Sequence, residues 1–363
     1  MFDASIYGLV FLYFVLIVTL VSALIYFNAS ASNSSPVSYN KAMLWFVAVL
    51  ITWLLGTRPI SGKYFVDMAT YAHMFEQTVI TGFHVSPEWA FAWFMETVAM
   101  FVSVETFFVL CTFFYILPTA LATLRIHGHW AFAVFLTILG GFQTYPYIVN
   151  GIRNGMATAI LLLAFTYRDR KFVMLALMFI CLGIHKSTAI PIVAFIITGF
   201  FSNPITYALI WVSTFVISAI GGAGLTQTLG TLVSFGGDDE RLSTYTSVAM
   251  FSMGKAGFRL DFIAYSIIPL IITYFLASNK VRTDNFYQRL VCTYLLCNAF
   301  WLLVIYSEFS NRFAYLSWFI LPWIIIYPFV PQKNSSNQTP HINLGPAMIV
   351  HFAFTFYMYQ FYS

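Results

Sequence analysis

The sequence predicts an all-α polytopic membrane protein with about twelve transmembrane helices. Of its 363 residues, 60% are hydrophobic and only 8% are charged, where soluble domains carry about a quarter. Apolar stretches of helical length recur along the whole chain, parted by short polar turns. No polar stretch is long enough to bury a core of its own, so residues 1–363 read as a single integral membrane domain.

The first apolar stretch, Gly8–Phe27, is too long for the apolar region of a signal peptide and more of its kind follow, so it reads as the first helix. Further candidate spans are Ala42–Leu55, Ser103–Leu124, Trp130–Phe142, Ile152–Tyr167, Phe172–Ile184, Thr188–Phe201, Ile205–Ile220, Phe262–Ala277, Phe286–Tyr306, Phe313–Val330 and Gly345–Tyr362. Trp130–Phe142 and Phe172–Ile184 fall short of the about 20 residues a bilayer requires. Short spans beside polar motifs are expected where helices stop at a water-filled cavity. Two segments, about 56–102 and 221–261, read as extended loops. The many Phe, Tyr and Trp rings are expected mostly against lipid or in the interfacial belts.

Composition and motifs exclude several classes of function. The net charge of +4 forms no basic patch, so nucleic acid is not an expected partner. Cys111, Cys181, Cys292 and Cys297 lie inside apolar stretches on no zinc-like spacing, as packing residues do. Asp238-Asp239-Glu240 lacks the ligand spacing of a calcium or zinc site and reads as a solvated loop. Nucleotide-binding and nucleophile-elbow motifs are missing. No metal or cofactor is therefore expected, and the substrate itself must supply the driving force.

Orientation follows from the short loops. Arg168-Asp169-Arg170-Lys171 and Lys280-Val281-Arg282 are tight basic turns, which the positive-inside rule puts in the cytoplasm. Counting spans from them puts both extended loops, His185-Lys186 and Ser307–Arg312 on the outer side. Arg58, Lys63, Arg153, Lys186, Arg241, Lys255, Arg259 and Arg312 then stand outside, against the rule. An anionic ligand at the outer leaflet would account for them.

Five motifs carry most of these charges. Arg58, in Gly56-Thr57-Arg58, ends the second span and reads either as a phosphate grip or as a snorkelling arginine. Asp67 and Tyr71 are i and i+4, so they share a helix face, either toward sugar and a reacting hydroxyl or on a surface helix. Glu76, His84, Glu88 and Glu96 occupy the same loop, and no pattern singles one out. Arg153 follows the turn signals Pro146 and Asn150-Gly151 and opens a helix at Ile152. A helix N-terminus favours anions, and the guanidinium adds a fork that fits phosphate oxygens. Gly155 and Ala157 leave a small-residue surface that a ligand or another helix could approach.

His185-Lys186-Ser187 lies one helical hairpin later, on the same side of the membrane as Arg153. His185 is a candidate base for a sugar hydroxyl or a structural interface histidine, and Lys186 a second phosphate contact. Arg312, with Asn311 as a donor, reads as a further phosphate clamp or as the i, i+4 ion-pair partner of Glu308. Lys255 and Arg259 form a basic face for the anionic ligand or for headgroups, with Asp261 beside them.

Gly56-Thr57-Arg58 with Asp67 and Tyr71, Ile152-Arg153-Asn154-Gly155-Met156-Ala157, His185-Lys186-Ser187 and Asn311-Arg312 together resemble the EpsG-like and Wzy-type polysaccharide polymerases of bacteria. The resemblance runs from about Gly56 to Arg312. Asn154 stands where that family commonly has the glutamine of Arg-Gln-x-x-Ala, while its His-x-Ser is intact. It implies a GT-C-like architecture in the bacterial inner membrane, with both extended loops in the periplasm. It also implies donor and acceptor oligosaccharides on undecaprenyl diphosphate and a chain-length regulator as working partner. The implied reaction polymerises repeat units without a metal. Arg153 and Arg312 would hold the diphosphate, with Arg58, Tyr71, Asn154, Lys186, Asn311 and Arg259 around the substrate. His185 would be the base, with Asp67 as its rival. An O-antigen ligase is the alternative within the class. A flippase or transporter predicts internal repeats and mid-membrane charges, and the sequence shows neither.

Overall fold

The computed structural model describes residues 2–32, 37–82, 86–234, 257–307, 310–331 and 342–362, and every regular element among them is a helix. In chain order these are α1 (Tyr7–Ala31), α2 (Val37–Gly56), α3 (Val66–Thr81), α4 (Trp89–Ala99), α5 (Val104–His127), α6 (Ala131–Leu139), α7 (Thr144–Val149), α8 (Ile152–Thr166) and α9 (Lys171–Ile184). There follow α10 (Ala189–Phe200), α11 (Pro204–Ser234), α12 (Leu260–Ile271), α13 (Ser278–Thr283), α14 (Asn285–Leu303), α15 (Ser310–Trp318), α16 (Leu321–Ile326) and α17 (Leu344–Tyr362). Each apolar stretch of the sequence coincides with one or two of them.

Among the described residues, the segments Ala4–Ala31, Val104–Leu139, Pro204–Thr226 and Ser310–Phe329 are long and apolar enough to cross a membrane. Asn40–Gly56, Ile152–Thr166, Lys171–Ile184, Lys186–Phe200 and Leu260–Leu276 are shorter apolar helices. This is a membrane protein. The nine residues of α6, all buried, rise only about 14 Å at 1.5 Å each, under half the hydrocarbon thickness. Taken alone, α6 is a core half-helix and not a crossing.

The stretch 56–102 is not an extended loop, because α3 and α4 fill much of it. Met68, Tyr71, Ala72 and Phe75 are buried at i, i+3, i+4 and i+7, which gives α3 one apolar face. The second expected loop begins late, since α11 runs past Ile220 to Ser234 with a break at Gly222, whose φ of 54° suits glycine. His84, the run Asp238–Arg241, Lys255 and Glu308 lie outside the described residues.

The chain divides into two compact units, Met1–Ala189 with Ile326–Ser363, and Ile190–Ile325. In the first, α5 packs on α2 and α8, α8 on α9, and α1 on α17. In the second, α11 packs on α14 and α14 on α15. There Asn298 is the centre of a buried polar network. Its Oδ1 accepts the Trp211 indole N–H at 2.7 Å, and its amide donates to Ser317 Oγ at 2.9 Å and Ser266 Oγ at 3.1 Å. Trp318 donates to Ser266 Oγ at 2.8 Å. Such bonds join helices where no water competes for them.

The aromatic expectation is met only in part. Trp45, Trp53, Trp89 and Trp93 are exposed, but Trp130, Trp211, Trp301, Trp318 and Trp323 are buried. Trp318 packs edge-on against Phe262, Tyr265 and Trp301. An indole is tolerated inside when its N–H finds an acceptor, as those of Trp211 and Trp318 do. All four cysteines are buried and free.

Candidate functional site

Arg153 is the second residue of α8 and projects from its first turn, after the Asn150-Gly151 turn the sequence marks. Its Nε donates to the Tyr71 hydroxyl at 2.7 Å, and its Nη1 forms an ion pair with Glu88. The guanidinium also lies over the Tyr71 and Phe91 rings, 5.4 and 5.7 Å from their centroids. The other Glu88 oxygen, Oε1, is 2.6 Å from Nδ1 of His185, just past the end of α9. The Lys186 backbone N–H bonds the same carboxylate. Glu88 thus ties the starts of α4 and α8 to the end of α9.

Two glycines set this convergence. A Cβ on Gly183 would sit 2.5 Å from Trp89 Cε2 and 2.8 Å from Ala90 Cβ, so only glycine lets α4 seat its first turn on α9. A Cβ on Gly155 would lie 2.6 Å from the Tyr147 carbonyl oxygen, so the small-residue surface of α8 is occupied by α7.

The side chains of Arg153, Glu88 and His185 are 19%, 12% and 28% exposed, so the cluster is sheltered yet reachable. Burial pushes the Glu88 carboxyl up, but the His185 hydrogen bond and the Arg153 charge outweigh it and hold the group below the usual range. Glu88 is therefore ionised at neutral pH and can only accept. His185 Nδ1 must then carry a proton, which leaves Nε2 as the acceptor of the neutral ring. Burial raises the Tyr71 phenol despite the nearby Arg153. Its hydroxyl accepts from Arg153 and so keeps its own proton to donate. A cavity of about 230 Å³ is lined by Glu88, Arg153 and residues of α3 and α4.

The remaining candidates fall in three places. Asp67 and Tyr71 do share α3, and Asp67 acts electrostatically on both Tyr71 and Arg153. Lys186 is exposed, and Asn154 is buried with no hydrogen bond at its Oδ1. Arg58 stands apart from the cluster. It is 3% exposed, donates to the Leu55 and Ile148 carbonyls at 2.5 and 3.0 Å, and lies between the Phe65 and Phe108 rings. It is neither a snorkelling arginine nor open to a phosphate. Burial lowers its guanidinium to about 10, which leaves it charged.

In the second unit, Arg259 pairs with Asp261 at 2.9 Å and lies over Phe262. Asn311 bonds the Tyr315 side chain, and both Arg312 and Arg259 act on Tyr315 electrostatically. Arg259, Asn311 and Arg312 thus all act on one tyrosine. Among the described residues no three His, Cys, Asp or Glu side chains gather as a metal-binding set.

Sequence reasoning missed Glu88. Its signal is weak: a carboxylate just before the apolar α4 reads as an ordinary cap, since helix N-termini favour negative charge. Glu88 does occupy the N-cap position, yet its side chain does not cap the helix. Its oxygens are taken by Arg153 and His185.

The model of the EpsG family matches residues 41–363 of the chain. No curated protein and no solved structure matches it.

Proposed function

The chain belongs to the EpsG family, and from that premise we propose that it is a membrane glycosyltransferase that polymerises oligosaccharide units carried on undecaprenyl diphosphate. The observation that carries the reading is the single carboxylate, Glu88, held between Arg153 and His185. One arm can hold a diphosphate and the other can take a proton, close enough to serve one reaction.

In the proposed reaction, a hydroxyl on the acceptor unit attacks the anomeric carbon of the donor. The bond from that carbon to the diphosphate oxygen breaks, and the electron pair leaves with the lipid diphosphate. His185 Nε2 takes the hydroxyl proton, with Asp67 as the rival base. Arg153 stabilises the charge growing on the leaving group, an effect that is strong where water is scarce. Glu88 fixes the imidazole with its Nδ1–H inward, as a carboxylate orients a catalytic histidine elsewhere. Arg259, Asn311 and Arg312 are proposed as a second diphosphate contact. The proposal includes a metal-independent reaction at the periplasmic face of the inner membrane, a GT-C-like arrangement of about twelve crossings, and a chain-length regulator as partner.

Deletion of the gene and complementation with wild type or Arg153→Ala tests it, with the surface polysaccharide ladder as readout. A polymerase defect leaves core plus one repeat unit. Bare core would instead indicate a ligase, and precursor trapped inside a flippase. Unchanged long chains with Arg153→Ala would remove that residue from the mechanism.

A further inference from the structure

Arg125 is in the last turn of α5, and its side chain reaches the end of α8. Its Nε donates to the carbonyl of Thr166, the last residue of α8, at 3.1 Å. Its guanidinium lies over the Tyr167 ring, 4.0 Å from the centroid. At 1.5 Å per residue, Thr166 is about 20 Å along the axis from Arg153, so this is the opposite end of α8 from Glu88 and His185. The carbonyl and the ring fix the plane of the guanidinium and occupy only its Nε. Neither terminal nitrogen bonds another described residue. A fork held in this way fits two oxygens of a phosphate.

More cations belong to the same turn. The Arg170 N–H bonds the Tyr167 carbonyl at 2.7 Å and closes the turn before α9, with Arg170 and Lys171 exposed. Asp169 is the one carboxylate in that turn, and α9 has none in its first turn. A topological signal requires charge alone. A guanidinium seated on a ring and a carbonyl adds shape to the charge, and that shape suits a phosphate.

The residues beside the cations indicate what carries the phosphate. Lys171, Leu175 and Phe179 are exposed at i, i+4 and i+8, so one face of α9 starts with a cation and continues as apolar side chains. Phe172 next to them is 86% exposed. On α5, the exposed Leu121 precedes Arg125 by four residues and shares its face. Cations at the helix ends, with apolar side chains toward the middle, match a headgroup followed by acyl chains.

We infer that Arg125, with Arg170 and Lys171, binds the phosphate of an anionic phospholipid in the leaflet at this end of α8. The site lies away from Arg153 and does not depend on the reaction proposed there. A zwitterionic lipid brings its own ammonium group among these cations, so phosphatidylglycerol is preferred to phosphatidylcholine.

The test gives the full chain, purified in detergent, either lipid with the same acyl chains and measures bound lipid by native mass spectrometry. Phosphatidylglycerol is expected to bind about tenfold tighter than phosphatidylcholine. Arg125→Met should remove most of that preference. The double variant Arg170→Gln with Lys171→Gln, which alters only exposed side chains, should reduce it about threefold. Equal affinity for the two lipids in the wild type, or a preference that either variant leaves unchanged, overturns the site. Release of bound phosphatidylglycerol by excess inorganic phosphate would assign the site to free phosphate and overturn the lipid reading.

Discussion

Glu88 decides the behaviour of the two residues it touches. Its carboxyl is held below the usual range in the folded chain, so the unfolded chain takes up the proton first as pH falls. The stabilisation is complete above the ordinary value of 4.5 and is lost as pH drops through the lower folded value. Thermal melting of the wild type should therefore fall more steeply as pH drops below the ordinary value of 4.5 than that of Glu88→Gln, which has no such proton to bind. Equal slopes would show that the pair does not form in the folded protein. His185→Ala should slow turnover about 100-fold while donor affinity changes little. If donor binding collapses and residual turnover is normal, His185 is a ligand and not a base. Arg58→Met should act differently from Arg153→Ala, because two carbonyls, Leu55 and Ile148, lose their donors. The expected result is a loss of about 1–3 kcal/mol in stability with no selective loss of donor binding.

At the scale of elements, the cluster exists because three helix ends meet. Gly183→Ala adds a methyl group where Trp89 and Ala90 already sit. It should cost about 1–3 kcal/mol as overpacking does and pull α4 away from α9. Polymer formation should drop although Gly183 touches no substrate, and the pH dependence of melting should approach that of Glu88→Gln. Retention of both properties would mean that α4 can shift without moving Glu88. Asn298→Ala makes the contrast. It leaves the Trp211 N–H without its acceptor, so the melting temperature should fall while the acid sensitivity from Glu88 persists.

The whole molecule has to place both cationic clusters on one side of the membrane if the proposed reaction is right. Because the four native cysteines are buried, single cysteines introduced elsewhere can be labelled against a low background. Ser86→Cys and Arg312→Cys should react with an impermeant reagent from the outer side, and Asp169→Cys only from the cytoplasmic side. Labelling of the Ser86 and Arg312 positions from opposite sides would remove Arg312 from the proposed reaction.

By itself the sequence determined the membrane character and the positions of most helices outside 56–102, and it singled out Arg153, Tyr71 and His185, which the fold brings together. Apolar periodicity and charge placed against the topological rule are local properties, written in consecutive residues. Tertiary structure decided which charges meet. Glu88 lies 65 residues from Arg153 and 97 from His185, and only the seating of α4 on Gly183 brings it to them. The same packing withdrew Arg58 into the core, because the rings and carbonyls that enclose it come from α2, α5, α7 and the turn before α3. A side chain's type sets what it can do, but its neighbours come from distant segments whose approach no short motif encodes.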